Sequence, residues 1–247
     1  MKKTLFFARR NWLEMRRDPI SLFFGVAFPI ILLLFLSLID RSIPAEAQMH
    51  LFEIENLAPG IAVFSLSFLT LFSAMLISKD RTSAFVLRLY CSPLSGSGFI
   101  LGYVLPLLPM AAAQMAVCFL AAVLMGLTVS WNILLCIAVS LPIMVFYIAI
   151  GLLCGTLLSE KAVGGACGAL LTNVSAWLSG TWFSLDLIGG VFRKVAYCLP
   201  FANAVDAARA ALAGRTGIRK NLWIVLAWAF AAMLLAVVVF ARRRKAK

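Results

Sequence analysis

The chain has 247 residues, of which 63% are hydrophobic and 13% are charged, and its mean hydropathy is +1.01. This composition excludes an ordinary water-soluble globular protein. A net charge of +12 is also typical of nucleic-acid-binding proteins, but here Lys and Arg cluster beside apolar stretches, which is the pattern of membrane topology, and we expect no nucleic-acid partner.

Six windows contain no Asp, Glu, Lys, Arg or His: 19–39, 59–78, 99–130, 131–159, 162–185 and 222–240. A helix needs roughly 20 apolar residues to cross about 30 Å of hydrocarbon, and every window reaches that length. They predict an all-α integral membrane protein with six transmembrane helices in a single transmembrane domain, residues 1–247. The first window is too long for a cleaved signal peptide, and no small-residue cleavage site follows it.

The distribution of Lys and Arg predicts the orientation. If both termini are cytoplasmic, 15 of the 22 basic residues lie in cytoplasmic segments, as the positive-inside rule requires. We therefore expect a multi-pass protein of the plasma membrane, of the bacterial inner-membrane type. Six of the seven external basic residues lie between the last two predicted spans, where phosphate-bearing headgroups or an anionic cargo would account for them.

Residues 1–18 mix basic and apolar side chains. On a helical wheel one face is apolar, with Leu5, Ala8, Trp12 and Met15, whereas Arg10 faces away from it. Arg9 and Arg16 fall inside the apolar arc and have to snorkel toward water. Together with Trp12, this pattern predicts an interfacial helix that contacts membrane lipids. The alternative is a disordered basic leader that only sets orientation.

Several features refine the predicted spans. Pro59-Gly60 opens the second span, Pro106 and Pro109 predict a bend in the third, and a turn is expected at 126–132. In the fifth window, Gly164 and Gly168 form a small-xxx-small pair that predicts close helix packing.

Polar side chains continue along the fifth window at Thr172, Asn173 and Ser175. An amide at mid-membrane prefers an aqueous cavity or a specific partner, so these three residues are our candidates for a substrate path. The alternative is helix packing through hydrogen bonds.

Residues 184–221 are too polar to span a membrane and too apolar for a simple loop. Leu199-Pro200 starts a helical run in which Asp206 and Arg209 are expected partners at i,i+3. Threading this run through the bilayer would place both charges near mid-span, at ~2.5–3.5 kcal/mol each. We therefore predict an external re-entrant hairpin before the last span.

Residues 79–98 form a polar interval between two apolar windows and read KDRTSAFVLRLYCSPLSGSG. Their basic and apolar side chains interleave before Pro93, which predicts an amphipathic turn of helix at the membrane surface that meets a soluble partner. An ordinary basic loop is the alternative.

This interval resembles the first cytoplasmic loop of type-2 ABC exporter permeases, in residues that fit in order and spacing: Asp80, Arg81, Arg88, Leu89, Ser92, Pro93, Leu94 and Gly102. Arg17-Asp18-Pro19, Phe28-Pro29 and Leu199-Pro200 match further parts of that family. The resemblance implies that 79–98 carries a coupling helix that docks on a separate ATP-binding subunit through Asp80, Arg81, Arg88, Leu89, Ser92 and Pro93. It also implies that the interfacial helix with Arg9, Trp12 and Arg16 touches that subunit.

The sequence contains no GxxxxGK[ST] motif, and no charged residue lies within a predicted span. We therefore expect a permease subunit that moves an amphipathic drug, peptide antibiotic or lipid-like cargo out of the cytoplasm. It is expected to act as a homo- or heterodimer with ATP-binding subunits that hold ATP and magnesium, and to carry no cofactor, metal or catalytic residue of its own.

His50 is the only histidine in the sequence, which argues against a histidine-based metal site. The six cysteines lack metal spacing, so we interpret the cysteines as packing residues.

Two other classes remain open. An integral membrane lipid-modifying enzyme would need a cluster of carboxylates or histidines at the membrane face, and the cytoplasmic acids Glu14, Asp18, Asp80 and Glu160 are widely spaced. A passive channel or an assembly protein is the third possibility.

Overall fold

The computed structural model describes residues 2–43, 50–82 and 96–245, and within these ranges the chain is helical without β-strands. The predicted all-α fold is confirmed. Five helices are long and apolar enough to cross a membrane, and we call them the first, second, third, fourth and last spans. They are Pro19–Ser42, Ile54–Arg81, Gly98–Leu124, Asn132–Leu157 and Ile218–Arg243.

Three of these spans are built from more than one helical segment. An N-terminal helix, Lys2–Arg16, precedes them. The first span consists of Pro19–Leu22, a π-helical segment Phe23–Ala27, and Phe28–Ser42. The second consists of Ile54–Ser65 and Phe68–Thr82, and the fourth of Asn132–Val139 and Leu141–Leu157. The third and last spans are the single helices Gly96–Leu124 and Ile218–Lys245.

The helix boundaries follow local chemistry. Asp18 caps the first span, since its carboxylate accepts hydrogen bonds from the Ser21 backbone N–H at 3.3 Å and from the Ser21 hydroxyl at 2.6 Å. The expectation that Pro59 opens the second span is wrong: the helix begins at Ile54 and Pro59 lies inside it. A proline in the second turn removes only one backbone hydrogen bond, which the surrounding packing tolerates. The expected turn at 126–132 is present, with Gly126 at φ 117°.

The predicted fifth span is helical but irregular. Glu160–Val163, a π-helical segment Gly164–Leu171, and Thr172–Leu178 follow one another without a gap, and we call this run the fifth segment. The Ser159 hydroxyl accepts a hydrogen bond from the Ala162 N–H at 3.4 Å and caps its start. Among the described residues only the five spans combine the length and apolar character of a crossing, so a sixth crossing stays a prediction.

The second span is the centre of the bundle: 94% of its most apolar window is buried, against 22% in the first span. It packs along the fourth span, where glycines allow close approach. A Cβ atom added at Gly155 would lie 2.5 Å from the carbonyl oxygen of Ala74, and one at Gly151 would overlap the Ser73 side chain. Only glycine fits at these two positions.

The expected close packing is present at Gly168 and absent at Gly164 within the described part of the chain. A Cβ atom at Gly164 would meet nothing within 4 Å, whereas one at Gly168 would lie 3.3 Å from the Leu71 side chain of the second span, which is a tight contact. Both glycines lie in the π-helical part of the fifth segment, where the backbone widens and the residues that face a neighbour differ from those of an α-helix.

Three short helices precede the last span: Leu185–Ile188, Gly190–Cys198, and an outer helix Pro200–Leu212. The outer helix packs against the second, fourth and last spans near Asn56 and Asn132, whereas the N-terminal helix packs near Gly102 and Asp80. These two helices therefore lie at opposite ends of the bundle. The arrangement is compatible with the predicted hairpin, and its re-entry into the membrane stays a prediction.

Candidate functional site

Irregular backbone occurs in three neighbouring elements and marks one region of the bundle. The first span is π-helical at Phe23–Ala27, the second is interrupted at Leu66-Ser67, and the fifth segment is π-helical at Gly164–Leu171. The interruption frees the Ser65 carbonyl, which accepts a hydrogen bond from Gln114 Nε2 at 2.8 Å. Such irregular backbone is frequent at functional sites. Inside a membrane, the backbone groups that it frees need hydrogen-bond partners from side chains.

The same three elements, with the Trp182 and Phe183 turn, enclose a cleft of about 610 Å³. Its walls are mainly aromatic: Phe24, Phe28, Phe64, Phe68, Trp177, Trp182 and Phe183. Phe68 is at the centre of this cluster, because its ring stacks on Phe24 with 4.9 Å between centroids and meets Phe28 edge-on at 5.4 Å. Edge-to-face contact also joins Phe64 to Trp182, at 5.4 Å. A wall of this kind binds flat or elongated apolar groups.

Of the three predicted substrate-path residues, two line this cleft. The Thr172 hydroxyl donates to the Cys167 carbonyl at 3.1 Å, and Asn173, which is exposed, donates through Nδ2 to the Ala169 carbonyl at 2.9 Å. Ser175 is not among the lining residues; it is 1% exposed and lies beside the Tyr147 hydroxyl. The Trp182 indole N–H is buried and has no acceptor among the described residues.

Sequence reasoning missed the aromatic wall. A signal was present, because Phe24 and Phe28, and again Phe64 and Phe68, recur at i,i+4 and so lie on one helix face. In a chain this rich in phenylalanine the spacing does not reveal which face meets a cavity and which meets lipid.

A buried charged network lies at the carboxyl end of the second span, away from the cleft. Asp80 is 1% exposed and accepts hydrogen bonds from Arg10 Nη1 and from the Tyr103 hydroxyl, both at 2.7 Å. Arg10 also pairs with Glu14 at 2.7 Å. Burial opposes the charge of Arg10, but the hydrogen bond and ion pair with Asp80 outweigh burial and raise its pKa. Burial raises the pKa of Glu14, although Arg10 acts in the opposite direction.

This network connects three elements, since Arg10 belongs to the N-terminal helix, Asp80 ends the second span and Tyr103 belongs to the third. Next to it, Arg81 Nη1 donates to the carbonyls of Gly155 at 2.6 Å and Leu158 at 3.1 Å. Arg81 thus satisfies free carbonyls at the carboxyl end of the fourth span.

The N-terminal helix docks on the third span through a face that includes Ala8 and Met15, two of the four residues of the predicted apolar face, and both are buried. The Phe7 ring stacks on Phe99 at 5.5 Å over Gly102, and Asn11 Nδ2 donates to the Gly102 carbonyl at 3.0 Å. Leu5, on the predicted apolar face, is 67% exposed, and Arg10, predicted to face away from the apolar residues, points inward to Asp80. A buried carboxylate needs a cation, and this need outweighs apolar matching. Arg9 and Arg16 are exposed, and Trp12 is half-buried.

At the far end of the bundle, the expected ion pair between Asp206 and Arg209 is not formed. Arg209 instead donates to the carbonyls of Asn56 at 3.0 Å and Gly180 at 3.2 Å, and Asp206 accepts from the Tyr197 hydroxyl at 2.9 Å. Burial raises the pKa of Asp206 and lowers that of Arg209. Burial and then the nearby Asp206 raise the pKa of Tyr197 to about 12. Arg209 therefore ties the outer helix to the second span.

The family model of the ABC-2 type transporter matches residues 3–213, from the N-terminal helix through the outer helix. The chain belongs to the ABC-2 type transporter membrane family. No curated protein matches it. This permease is therefore a multi-pass transport subunit of an ABC transporter and is not itself catalytic, which favours transport over a lipid-modifying enzyme. Membership also implies association with an ATP-binding subunit and, typically, dimerisation.

For an ABC-2 permease, the position of the charged network is informative. Asp80 and Arg81 are the first two of the six residues predicted to couple, at the start of the loop 79–98, and the side chains of both are engaged within the chain itself. Arg88, Leu89, Ser92 and Pro93 lie outside the described residues. Docking on the ATP-binding subunit through these six residues therefore stays a prediction.

Proposed function

We propose that this permease exports an amphipathic drug, peptide antibiotic or lipid-like cargo, as a homo- or heterodimer driven by separate ATP-binding subunits. The observation that supports this proposal is the aromatic cleft of about 610 Å³ between the first span, the second span and the fifth segment. Both termini face the cytoplasm, and ATP with its magnesium binds to the partner subunits.

The cleft favours cargo that is mostly apolar with few polar groups. Aromatic walls gain from burying hydrocarbon or rings. Asn173 is exposed, and its amide oxygen can accept one hydrogen bond. A small number of polar groups in an apolar pocket orients a ligand without holding it strongly, which suits a site that must also release its cargo.

The second span is the element that can carry motion to the cleft. Phe64 and Phe68 form part of the cleft wall, and the same span ends at Arg81, within the predicted coupling loop 79–98. Because the Gly155 contact packs it tightly on the fourth span, a push on the loop displaces both spans together. Arg10 passes the displacement to the N-terminal helix. Transport cycles switch between two conformations when rigid helices move together between two alternative packing arrangements.

The coupling step is tested by Arg88→Glu, with Lys161→Glu as the matched charge reversal. Lys161 follows the fourth span and is exposed. We expect Arg88→Glu to insert normally and to lose co-purification with the ATP-binding subunit and cargo-stimulated ATP hydrolysis, because reversing a charge at an interface costs ~2–5 kcal/mol. Equal behaviour of the two variants would remove the coupling-helix assignment.

The cleft is tested by Asn173→Leu, with Ser175→Ala as the control, since Ser175 lies close in sequence but does not line the cleft. We expect Asn173→Leu to change the relative transport of polar and apolar cargo in proteoliposomes and to leave assembly intact. Unchanged transport of every cargo that the wild type moves would reduce Asn173 to a packing residue.

A further inference from the structure

A second cavity lies on the other side of the first span, where the π-helical segment faces the N-terminal helix and the third span. Its volume is about 160 Å³. Gly25 lines this cavity whereas the preceding Phe24 lines the cleft, so the two sites are separated by the first span. Trp12 and Arg16 stand at one end, and Gln114 stands at the other.

The cavity runs from membrane-surface level toward mid-membrane. Trp12 and Arg16 belong to the N-terminal helix, which packs at the end of the bundle. Gln114 bonds to Ser65, at the interruption in the middle of the second span. Apart from these residues the walls are aliphatic, with Val26 at 39% exposure on the outer side. A dry cavity of ~150 Å³ holds a benzene-sized group, so this one holds part of a single acyl chain that enters from the side.

Arg16 brings positive charge to the end of the cavity that it lines, and Arg9 lies two turns away on the same helix. Arg9 and Arg16 are seven residues apart on one face of the N-terminal helix, with Trp12 between them. Both are exposed, and neither forms an ion pair with any described residue, whereas the neighbouring Arg10 is engaged by Asp80 and Glu14. Exposed arginines beside a half-buried tryptophan are the arrangement that binds phosphate at a bilayer surface.

We propose that this cavity binds one acidic phospholipid, with its phosphate on Arg16 and Arg9 and one acyl chain between Trp12 and Gln114. The inference does not depend on the cargo or on the direction of transport. A lipid bound there would hold the N-terminal helix in place, and Arg10 of that helix holds Asp80, at the start of the predicted coupling loop. The content of acidic lipid would thereby act on the end of the second span.

The test uses the full chain in bilayers of phosphatidylcholine into which phosphatidylglycerol or phosphatidylcholine with brominated acyl chains is titrated. Bromine quenches nearby tryptophan, and the difference between wild type and Trp12→Phe isolates the signal of Trp12. Each of the two arginines should lower the half-quenching mole fraction of the acidic lipid about fivefold. Trp228 lies in the last span and serves as the control. The difference in quenching between wild type and Trp228→Phe should be the same for the acidic and the neutral lipid.

Three variants separate the cavity from simple surface attraction. Gly25→Leu fills the cavity, and its Cβ fits because the nearest atoms would lie at 3.6–3.8 Å; it should abolish the preference. Val26→Phe blocks the mouth of the cavity from the lipid side and should also abolish the preference. This variant tests the cavity even if Gly25→Leu does not fold. Arg16→Gln should lower the preference about fivefold while Trp12 is still quenched.

Three results would overturn the proposal. Equal quenching of Trp12 by both lipids in the wild type would mean ordinary boundary lipid. A preference that persists in both Gly25→Leu and Val26→Phe would mean headgroup attraction without the cavity. Absence of any Trp12 quenching would mean that protein, such as a second copy of the chain, covers this face.

Discussion

Replacing Gly155 by alanine tests the packing between the second and fourth spans. The added Cβ would lie 2.5 Å from the Ala74 carbonyl oxygen and 2.9 Å from the Ala74 Cα. Real Cβ contacts stay above 3.0 Å, so the two helices must separate by about 0.5 Å at this backbone contact. Overpacking of this kind costs ~1–3 kcal/mol. Helix propensity partly offsets the cost, since alanine exceeds glycine by ~1 kcal/mol.

The matched control is Gly164→Ala in the fifth segment, where the added Cβ meets nothing within 4 Å. Both substitutions replace a helical glycine by alanine, so most of the propensity gain cancels and the difference between the two variants reports the overpacking cost of ~1–3 kcal/mol. We expect this difference in the free energy of unfolding, measured by SDS titration in mixed micelles with tryptophan fluorescence. If Gly164→Ala is as destabilising as Gly155→Ala, the assignment of the tight helix pair is wrong.

Two further substitutions probe the ends of the bundle. Arg10→Met leaves the buried Asp80 without its arginine, and we expect a loss of about 2–3 kcal/mol in the same titration, less than the ~3–5 kcal/mol of a fully buried pair, because Arg10 is 38% exposed. Arg9→Met, at an exposed position, should change stability by less than ~0.5 kcal/mol, and an equal loss in both would contradict the network. Burial raises the pKa of Asp206 above 3.8, so the folded state favours the protonated carboxyl and the wild type loses stability as pH rises from about 4 through that raised pKa. Asp206→Asn should flatten the pH dependence of the melting temperature over this range, whereas the exposed Asp186→Asn should not.

Much of the fold was predictable from the sequence for one physical reason. A crossing needs about 20 apolar residues, and hydropathy is a property of the local sequence. The windows at 19–39, 59–78, 99–130, 131–159 and 222–240 therefore each coincide with a span. The segment at 162–185 is the exception, because glycines and polar residues make it less apolar and its backbone is π-helical in part. The loop motif at Asp80 and Arg81 also indicated the family that the model match confirms.

Only the tertiary structure decided which faces meet. Helical periodicity puts Gly151 with Gly155, and Gly164 with Gly168, on equivalent faces, and nothing local says which pair has a neighbouring helix against it. In the structure the second span packs against Gly151 and Gly155 of the fourth span. For the same reason the cleft, which needs Phe24, Phe68 and Trp182 from three separate parts of the chain, is not visible in any one segment.

Charged residues show the same division between local and tertiary information. A helical wheel places Arg10 on the polar face, because the wheel takes into account only the residues of the same helix. The structure turns Arg10 inward, since the buried carboxylate of Asp80, 70 positions away, needs a cation. Apolar content along the chain thus determined where this protein crosses the membrane, and contacts between distant segments determined where it can hold a ligand and transmit a motion.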